Sequence, residues 1–158
     1  MKTSKPVLLA VGIVAFLLIG AALYLQHVKN ELPCPLCVMQ RYAFITTGLI
    51  CLVFAALPRG LTKLGASLGA LAALTGAGIA SWHLWVKAHP AISCGIDPLE
   101  TSLNKIATAE WLPWLFKADG LCSTEYEPLL GLSTPQWSLI WFSIFALLLI
   151  WAALRQSR

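Results

Sequence analysis

The sequence predicts an all-α membrane protein, a bundle of four transmembrane helices with two loops on the outer side of the membrane. Of its 158 residues, 58% are hydrophobic and 11% are charged, and the mean hydropathy is +0.76. Soluble domains are typically about 45–50% apolar and about 25% charged, so this composition excludes an ordinary soluble fold. Four stretches also reach the roughly 17–25 apolar residues that a helix needs to cross a bilayer.

The four spans are predicted from these apolar runs. They are residues 7–25, 36–57, 64–86 and 137–154. The second run contains one charge, Arg41, and the only ionisable residue of the third is His83. Because backbone polar groups in lipid must be paired internally, such runs are helices. The first run, preceded by Lys2 and Lys5, also resembles a secretory signal peptide, but it exceeds the roughly 7–15 apolar residues of such signals. We therefore expect an uncleaved helix.

The distribution of charge predicts the orientation. The two termini and the turn at 58–63 carry six basic residues and no acidic one, whereas all seven acidic residues lie on the opposite side. Cytoplasmic segments carry an excess of Lys and Arg, so both termini are predicted to be cytoplasmic. The loops at 26–35 and 87–136 then face outward. The net charge of +4 reflects this topology, and we predict no nucleic-acid partner.

Four of the five cysteines lie in or beside the outer loops, as the pairs Cys34 and Cys37 and Cys94 and Cys122. Disulfides form and persist on the non-cytoplasmic side. A bridge between Cys94 and Cys122 would contribute roughly 3–4 kcal/mol through loop closure, so a purely structural role stays open. The second pair on the same side favours a redox role. Cys51, in the middle of a span, is expected to be an apolar packing residue.

The sequence Cys34-Pro35-Leu36-Cys37 at the start of the second span is typical of an exchangeable disulfide. Pro35 suits the first helical position, and Cys37 lies in the first turn, at the positive end of the helix dipole. Arg41 follows one turn later on the same face, and both effects favour a thiolate. The alternatives are a static bridge and half of a zinc site. Since the neighbouring sequence offers no further Cys or His, we predict no metal.

Arg41 and His83 are ionisable residues at similar depth in adjacent spans. Such residues are candidates for a functional site because they are costly in lipid. Alternatively, Arg41 extends to the interface, and His83 is a packing residue. Together with Cys37 they predict a pocket open to lipid, with donors for the carbonyl oxygens of a hydrophobic redox molecule.

The second outer loop is far longer than an ordinary connection, which usually marks function. Its apolar run at 111–116 is expected to lie in the headgroup region of the bilayer. This run would tether the loop to the membrane.

The run from Cys34 to Arg41, CPLCVMQR, resembles the start of the second helix in the disulfide bond formation protein B (DsbB) family. The resemblance extends over four helices, both outer loops and a His near the end of the third helix. It includes the sequences EWLP at 110–113 and PQW at 135–137. A C-x-x-C followed by Arg at this spacing, together with a second outer cysteine pair, is highly specific.

The resemblance implies a bacterial inner-membrane enzyme that reoxidises a periplasmic DsbA-type oxidase of the thioredoxin fold. It implies that both cysteine pairs are periplasmic. Carried over by position, Cys94 would be the sulfur that the reduced partner attacks. Cys122 would then pass the exchange to Cys34 through a transient bridge.

The resemblance also implies that electrons leave to ubiquinone, or to menaquinone when oxygen is scarce. Cys37 would be the thiolate facing the quinone, which Arg41 would hold and polarise with assistance from His83. Two departures stand out: Gln40 replaces the Glu of the best-known member, and Pro35 within the motif is expected to alter the potential of that disulfide. A related branch with dedicated partners has the same motifs.

Two other classes of function stay open. A conduit carrying reducing equivalents outward would need a cysteine pair reachable from inside, which Cys51 alone does not provide. A non-enzymatic anchor with two structural disulfides would resist mild reductant. Gly65 and Gly69 form a G-x-x-x-G motif, for which we expect packing within the chain.

Overall fold

The computed structural model describes residues 4–89, 101–122, 124 and 126–155, and the helices in this part of the chain are numbered in order. The long ones are α1 (Lys5–Val28), α2 (Pro35–Ala56), α3 (Thr62–Ala88) and α7 (Thr134–Arg155). The short ones are α4 (Thr101–Asn104), α5 (Ala107–Trp111) and α6 (Pro113–Phe116). Four helices are long and apolar enough to cross a membrane, the third including the 3-10 turn before α3. The predicted four-helix fold is confirmed, and the chain is a multi-pass membrane protein.

Three of the long helices, α1, α3 and α7, extend beyond their apolar runs at both ends because helical hydrogen bonding does not stop at the first polar residue, whereas α2 is shifted by one residue from its predicted run. At the end of α1, the backbone N–H of Lys29 still donates to the carbonyl of Leu25. The α2 helix begins at Pro35, with Cys34 in extended conformation as its N-cap, and Pro58 follows its last residues. Hydropathy therefore locates each helix, while capping and proline set its ends.

The α3 helix is the centre of the bundle, packing against both α2 and α7, while α1 packs mainly against α2. Small residues allow this close approach. Gly65 faces Phe54 of α2, and Gly69 faces Cys51 of α2 and Leu149 of α7. The G-x-x-x-G motif thus serves packing inside this chain.

An aromatic cluster joins α2 to α7. Phe44 stacks on Phe142 with ring centroids 3.9 Å apart. It also makes a T-shaped contact with Phe145, with ring centroids 6.2 Å apart. Phe142 and Phe145 are fully buried. Because α1 and α7 share few contacts, the bundle is closed on one side and leaves a gap on the other.

The two loops that are predicted to face outward meet at the same end of the bundle. The backbone N–H groups of Asp119 and Gly120 donate to the carbonyl of Pro33, at 3.1 and 3.0 Å. A side chain at Gly120 would overlap the backbone of Leu32, so this approach requires glycine. At the opposite end, the Ser4 hydroxyl donates to the carbonyl of Ala152, which joins the two terminal segments.

The apolar run at 111–116 is divided between two faces. Trp111 is 80% exposed and Trp114 is half exposed, whereas Leu115 and Phe116 are buried against the bundle. Phe116 stacks on Tyr42 of α2 with ring centroids 4.4 Å apart. The run therefore anchors the loop on α2 and presents an outward aromatic edge, and its place in the headgroup region stays a prediction.

Candidate functional site

The two cysteines of the C-x-x-C motif lie together at the start of α2. The Cys34 Sγ accepts a hydrogen bond from the backbone N–H of Cys37 at 3.3 Å, as a side-chain N-cap. The two sulfurs are 2.9 Å apart, and both residues carry free thiols. Pro35 needs no amide partner in this first turn, so the backbone can present both sulfurs to the same side.

Cys34 is the proton donor of the pair. Its thiol donates to the Cys37 Sγ. This hydrogen bond, followed by burial, raises the pKa of the Cys34 thiol above its ordinary value. Cys37 is therefore the sulfur that the local hydrogen bonding prepares to carry negative charge.

His83 joins the pair from α3. It is only 3% exposed, and its Nε2 lies 3.7 Å from the Cys34 Sγ. Its Nδ1 is 3.1 Å from the Nε2 of Gln40, a buried amide of α2. The donor atoms of Cys34, Cys37 and His83 all lie within 4.8 Å of one another. His83 is 46 residues after Cys37, so the sequence beside the motif does not reveal it as a possible third metal ligand.

Arg41 is held by neutral oxygens from two other elements. It is 6% exposed, and its Nη1 donates to Gln26 Oε1 of α1 at 2.7 Å and to the carbonyl of Leu115 of α6 at 2.8 Å. The Gln26 amide in turn donates to the carbonyl of Trp114 at 3.1 Å. No carboxylate among the described residues forms an ion pair with Arg41. The ion pair in this part of the chain joins Lys117 and Asp119. Because the guanidinium itself is buried and donates to these two oxygens, Arg41 does not extend to water.

The thiol pair, Arg41 and His83 line a cavity of about 340 Å³ between α1 and α7. Cys37, Arg41 and His83 belong to its polar lining, together with Glu31, Gln40 and Lys87. Apolar residues of α1 such as Ala22 and aromatic residues of α7 such as Trp141 complete the cavity. Trp141 also borders a second, apolar crevice that continues between α1 and α7. The site is therefore a largely apolar pocket with a few convergent polar groups, typical of small-molecule sites.

Cys122 brings the second outer loop to this cavity. It is buried, packs in one cluster with Cys34, Leu36 and Val86, and is disulfide-bonded. Cys94 lies outside the described residues, so its predicted role and its pairing stay predictions. Cys51 is fully buried away from this cluster, as expected of a packing residue.

Sequence reasoning brought together Cys34, Cys37, Arg41 and His83, but it missed Gln26 and Gln40. Both amides hold a candidate side chain by hydrogen bonds. Their positions in the sequence could have indicated them. Gln26 directly follows the first apolar run, and Gln40 lies near the start of the second, so each is at the same end of the bundle as the residue it contacts.

A bundle of helices long and apolar enough to cross a membrane, with a thiol pair on an apolar cavity and a loop disulfide beside it, defines a membrane-embedded disulfide oxidoreductase. The chain belongs to the DsbB family: the family described as "Disulfide bond formation protein DsbB" matches residues 4–152. The chain is similar to disulfide bond formation protein B of Herminiimonas arsenicoxydans, with 60% identity over 99% of both chains. It is 46% identical to the same protein of Ralstonia nicotianae, over 98% of this chain and 97% of the relative. It is 40% identical to disulfide bond formation protein B 1 of Pseudomonas fluorescens, over 96% of this chain and 90% of the relative.

Proposed function

We propose that this protein reoxidises a periplasmic DsbA-type oxidase of the thioredoxin fold and passes the electrons to a membrane quinone. Ubiquinone is the proposed acceptor, with menaquinone as the anaerobic alternative. The observation that carries the proposal is the convergence of Cys37, Arg41 and His83 on one wall of the apolar cavity between α1 and α7.

The cavity fits a quinone headgroup in size and chemistry. Its volume of about 340 Å³ is within the roughly 300–1,000 Å³ range of small-molecule pockets. Arg41 uses Nη1 for Gln26 and Leu115, and its other guanidinium nitrogens have no partner within the described ranges. Arg41 and His83 would hold the carbonyl oxygens of the ring. When bound, a quinone supplies an acceptor for two electrons and two protons.

The two thiols have different surroundings, which suit Cys34 to exchange with the loop disulfide and Cys37 to contact with a ligand in the cavity. Cys34 packs against Cys122, so exchange with the loop disulfide needs only local movement. Cys37 lines the cavity and accepts the hydrogen bond from Cys34. Thiol–disulfide exchange proceeds by attack of a thiolate on a disulfide sulfur. We propose Cys94 as the sulfur that the reduced partner attacks, after which Cys122 passes the exchange to Cys34.

The proposed location is the bacterial inner membrane, with both termini cytoplasmic and both cysteine pairs periplasmic. The excess of Lys and Arg at one end of the bundle supports this orientation. An outward conduit of reducing equivalents is less well supported, because Cys51 is buried against α3 and does not form a pair.

The experiment is quinone reduction by the purified chain in detergent, followed by absorbance, with a reduced thioredoxin-fold oxidase as electron donor. Cys94→Ala should abolish quinone loss. Arg41→Ala should raise the quinone KM by about tenfold or more, which is ~1.4 kcal/mol of lost binding. Cys51→Ala, a buried cysteine outside the cavity, is the matched control and should retain the parent rate.

Two results would contradict the proposal. The first is the absence of quinone loss although the partner is present and both disulfides are intact. The second is an unchanged quinone KM in Arg41→Ala, because the guanidinium would then not contact the acceptor.

A further inference from the structure

We propose that the reduced Cys34–Cys37 pair and His83 form a binding site for a thiophilic divalent cation, with Zn²⁺ as the test ion. Thiolate sulfur and imidazole nitrogen are the preferred ligands of zinc. The proposal rests on the geometry of these three side chains, and it does not require that the protein reduce a quinone.

The donor atoms are close to the spacing of a tetrahedral site. Zinc binds sulfur at about 2.3 Å and nitrogen at about 2.0–2.1 Å, so ligand atoms around one ion are roughly 3.5–3.8 Å apart. The Cys34 Sγ and His83 Nε2 are 3.7 Å apart. The two sulfurs, at 2.9 Å, would need to separate by less than ~1 Å, and all three donor atoms lie within 4.8 Å of one another. The fourth position faces the cavity, where a water molecule can complete the set.

Gln40 provides the support that a histidine ligand requires. A metal-bound imidazole usually has its other ring nitrogen held by a hydrogen-bond partner. Here Nδ1 of His83 lies 3.1 Å from the Gln40 amide. An amide can donate to Nδ1 or, after a half-turn, accept from Nδ1–H. In the second state, Nε2 is unprotonated and can bind the ion once the ring gives up its hydrogen bond with the backbone of Cys122.

The charges around the cluster select the type of ion. Arg41 and Lys87 line the same cavity and outnumber its one carboxylate, Glu31, so the net charge of the lining opposes a bare cation. Binding to two thiols releases two protons, so a divalent ion and two thiolates form a neutral centre with neutral His83. Ions that prefer oxygen ligands, such as Mg²⁺ and Ca²⁺, do not compensate for this repulsion. The site is therefore restricted to ions that bind thiolate strongly.

Binding is limited to one redox state. A disulfide between Cys34 and Cys37 would consume both sulfur ligands, so only the dithiol form can bind the ion. The bound ion would in turn block oxidation of the pair until a chelator removes it. The site would thus trap the chain in its reduced form.

The test is a zinc titration of the full-length chain in detergent against a chromophoric chelator. A background of Cys94→Ser with Cys122→Ser removes the loop thiols. The reduced protein should bind one Zn²⁺ per chain, and the oxidised protein none. Loss of a supporting partner alone costs roughly 10–100-fold in metal affinity, so His83→Ala should weaken binding at least ~10-fold. Two matched controls, His89→Ala at the exposed end of α3 and Cys51→Ala, should retain the parent affinity.

A direct readout on the unmutated cluster complements the variants, because a buried histidine also supports folding. In the same background with labelled histidine, Zn²⁺ should shift the ring signals of one of the three histidines. Those signals should persist in His27→Ala and in His89→Ala. The proposal is overturned if the reduced chain binds no zinc, if the oxidised chain binds it equally, or if no histidine ring responds.

Discussion

The Arg41 guanidinium and the Gln26 side chain form a hydrogen bond of 2.7 Å that joins the beginning of α2 to the last turn of α1. Gln26 also donates to the carbonyl of Trp114, and Arg41 donates to the carbonyl of Leu115. The two side chains and two consecutive carbonyls of α6 therefore form one network. It fixes the position of the guanidinium at the cavity and ties the second outer loop to it.

Replacing Gln26 should weaken the cavity without touching its thiols. In Gln26→Leu, Arg41 loses one of its two acceptors, and hydrogen bonds to charged groups contribute about 1.5–3 kcal/mol. We expect the quinone KM to rise about tenfold, with thiol exchange between partner and loop unchanged. Steady-state quinone reduction measures the first quantity, and trapping of the mixed disulfide measures the second. His27→Ala, the exposed neighbour, is the control, and an unchanged KM in Gln26→Leu would argue against a positioning role.

Phe116 should determine how firmly the loop is attached to the bundle. Its ring is buried and stacks on Tyr42, whose hydroxyl contacts the Thr108 hydroxyl at 2.5 Å. Removing a buried Phe side chain costs about 3–5 kcal/mol. In Phe116→Ala we expect faster proteolysis between residues 101 and 122 while the four long helices stay intact. Trp111→Ala removes an aromatic ring that is 80% exposed and should leave proteolysis in detergent unchanged.

Two glycines of α3 should respond in opposite ways to the same substitution. A Cβ at Gly76 would overlap the ring of Phe142, whereas a Cβ at Gly78 meets no atom within 4 Å. Overpacking costs about 1–3 kcal/mol. Gly76→Ala should therefore lower the Tm in detergent, and Gly78→Ala should keep or raise it. Equal Tm values for the two variants would mean that α3 and α7 do not pack as closely as described.

Glu31 should make the contact between the two outer loops dependent on pH. Burial raises the pKa of this carboxyl, nearby Lys29 opposes the rise, and Glu127 adds to it. A raised pKa in the folded state means that the stabilising contribution is present below the ordinary value of 4.5 and is lost as pH rises through the folded value. Glu31→Gln should therefore protect the loop contact at neutral pH, with no difference from the parent at low pH.

Hydrogen exchange of the Asp119 and Gly120 amides, which donate to Pro33, reports this contact. Glu110→Gln on the exposed face of α5 is the matched control. Faster exchange in Glu31→Gln than in the parent at neutral pH would show that the charged carboxylate supports the contact.

The fold could be predicted from hydropathy because lipid requires long, internally bonded apolar helices. Cys37, Arg41 and His83 could be grouped because each is an exception at the same end of a span. The partners of Arg41 could not be predicted in the same way. Leu115 contributes a backbone carbonyl, which any residue type would supply, and Gln26 lies just past the end of the first apolar run, where a polar residue is expected in any case. The Leu115 contact exists only because the second outer loop folds back over the bundle, and the Gln26 contact exists because α1 packs against α2.

The sparse contact between α1 and α7 also determines which concentration controls the occupancy of this cavity by a ligand. A molecule that enters through the gap between these helices arrives from the bilayer, so its occupancy follows its mole fraction among the lipids rather than its molar concentration in the buffer. Adding empty lipid to proteoliposomes at fixed total ligand would dilute that molecule, while adding water would not. Membrane composition thus becomes a direct variable of occupancy at Cys37.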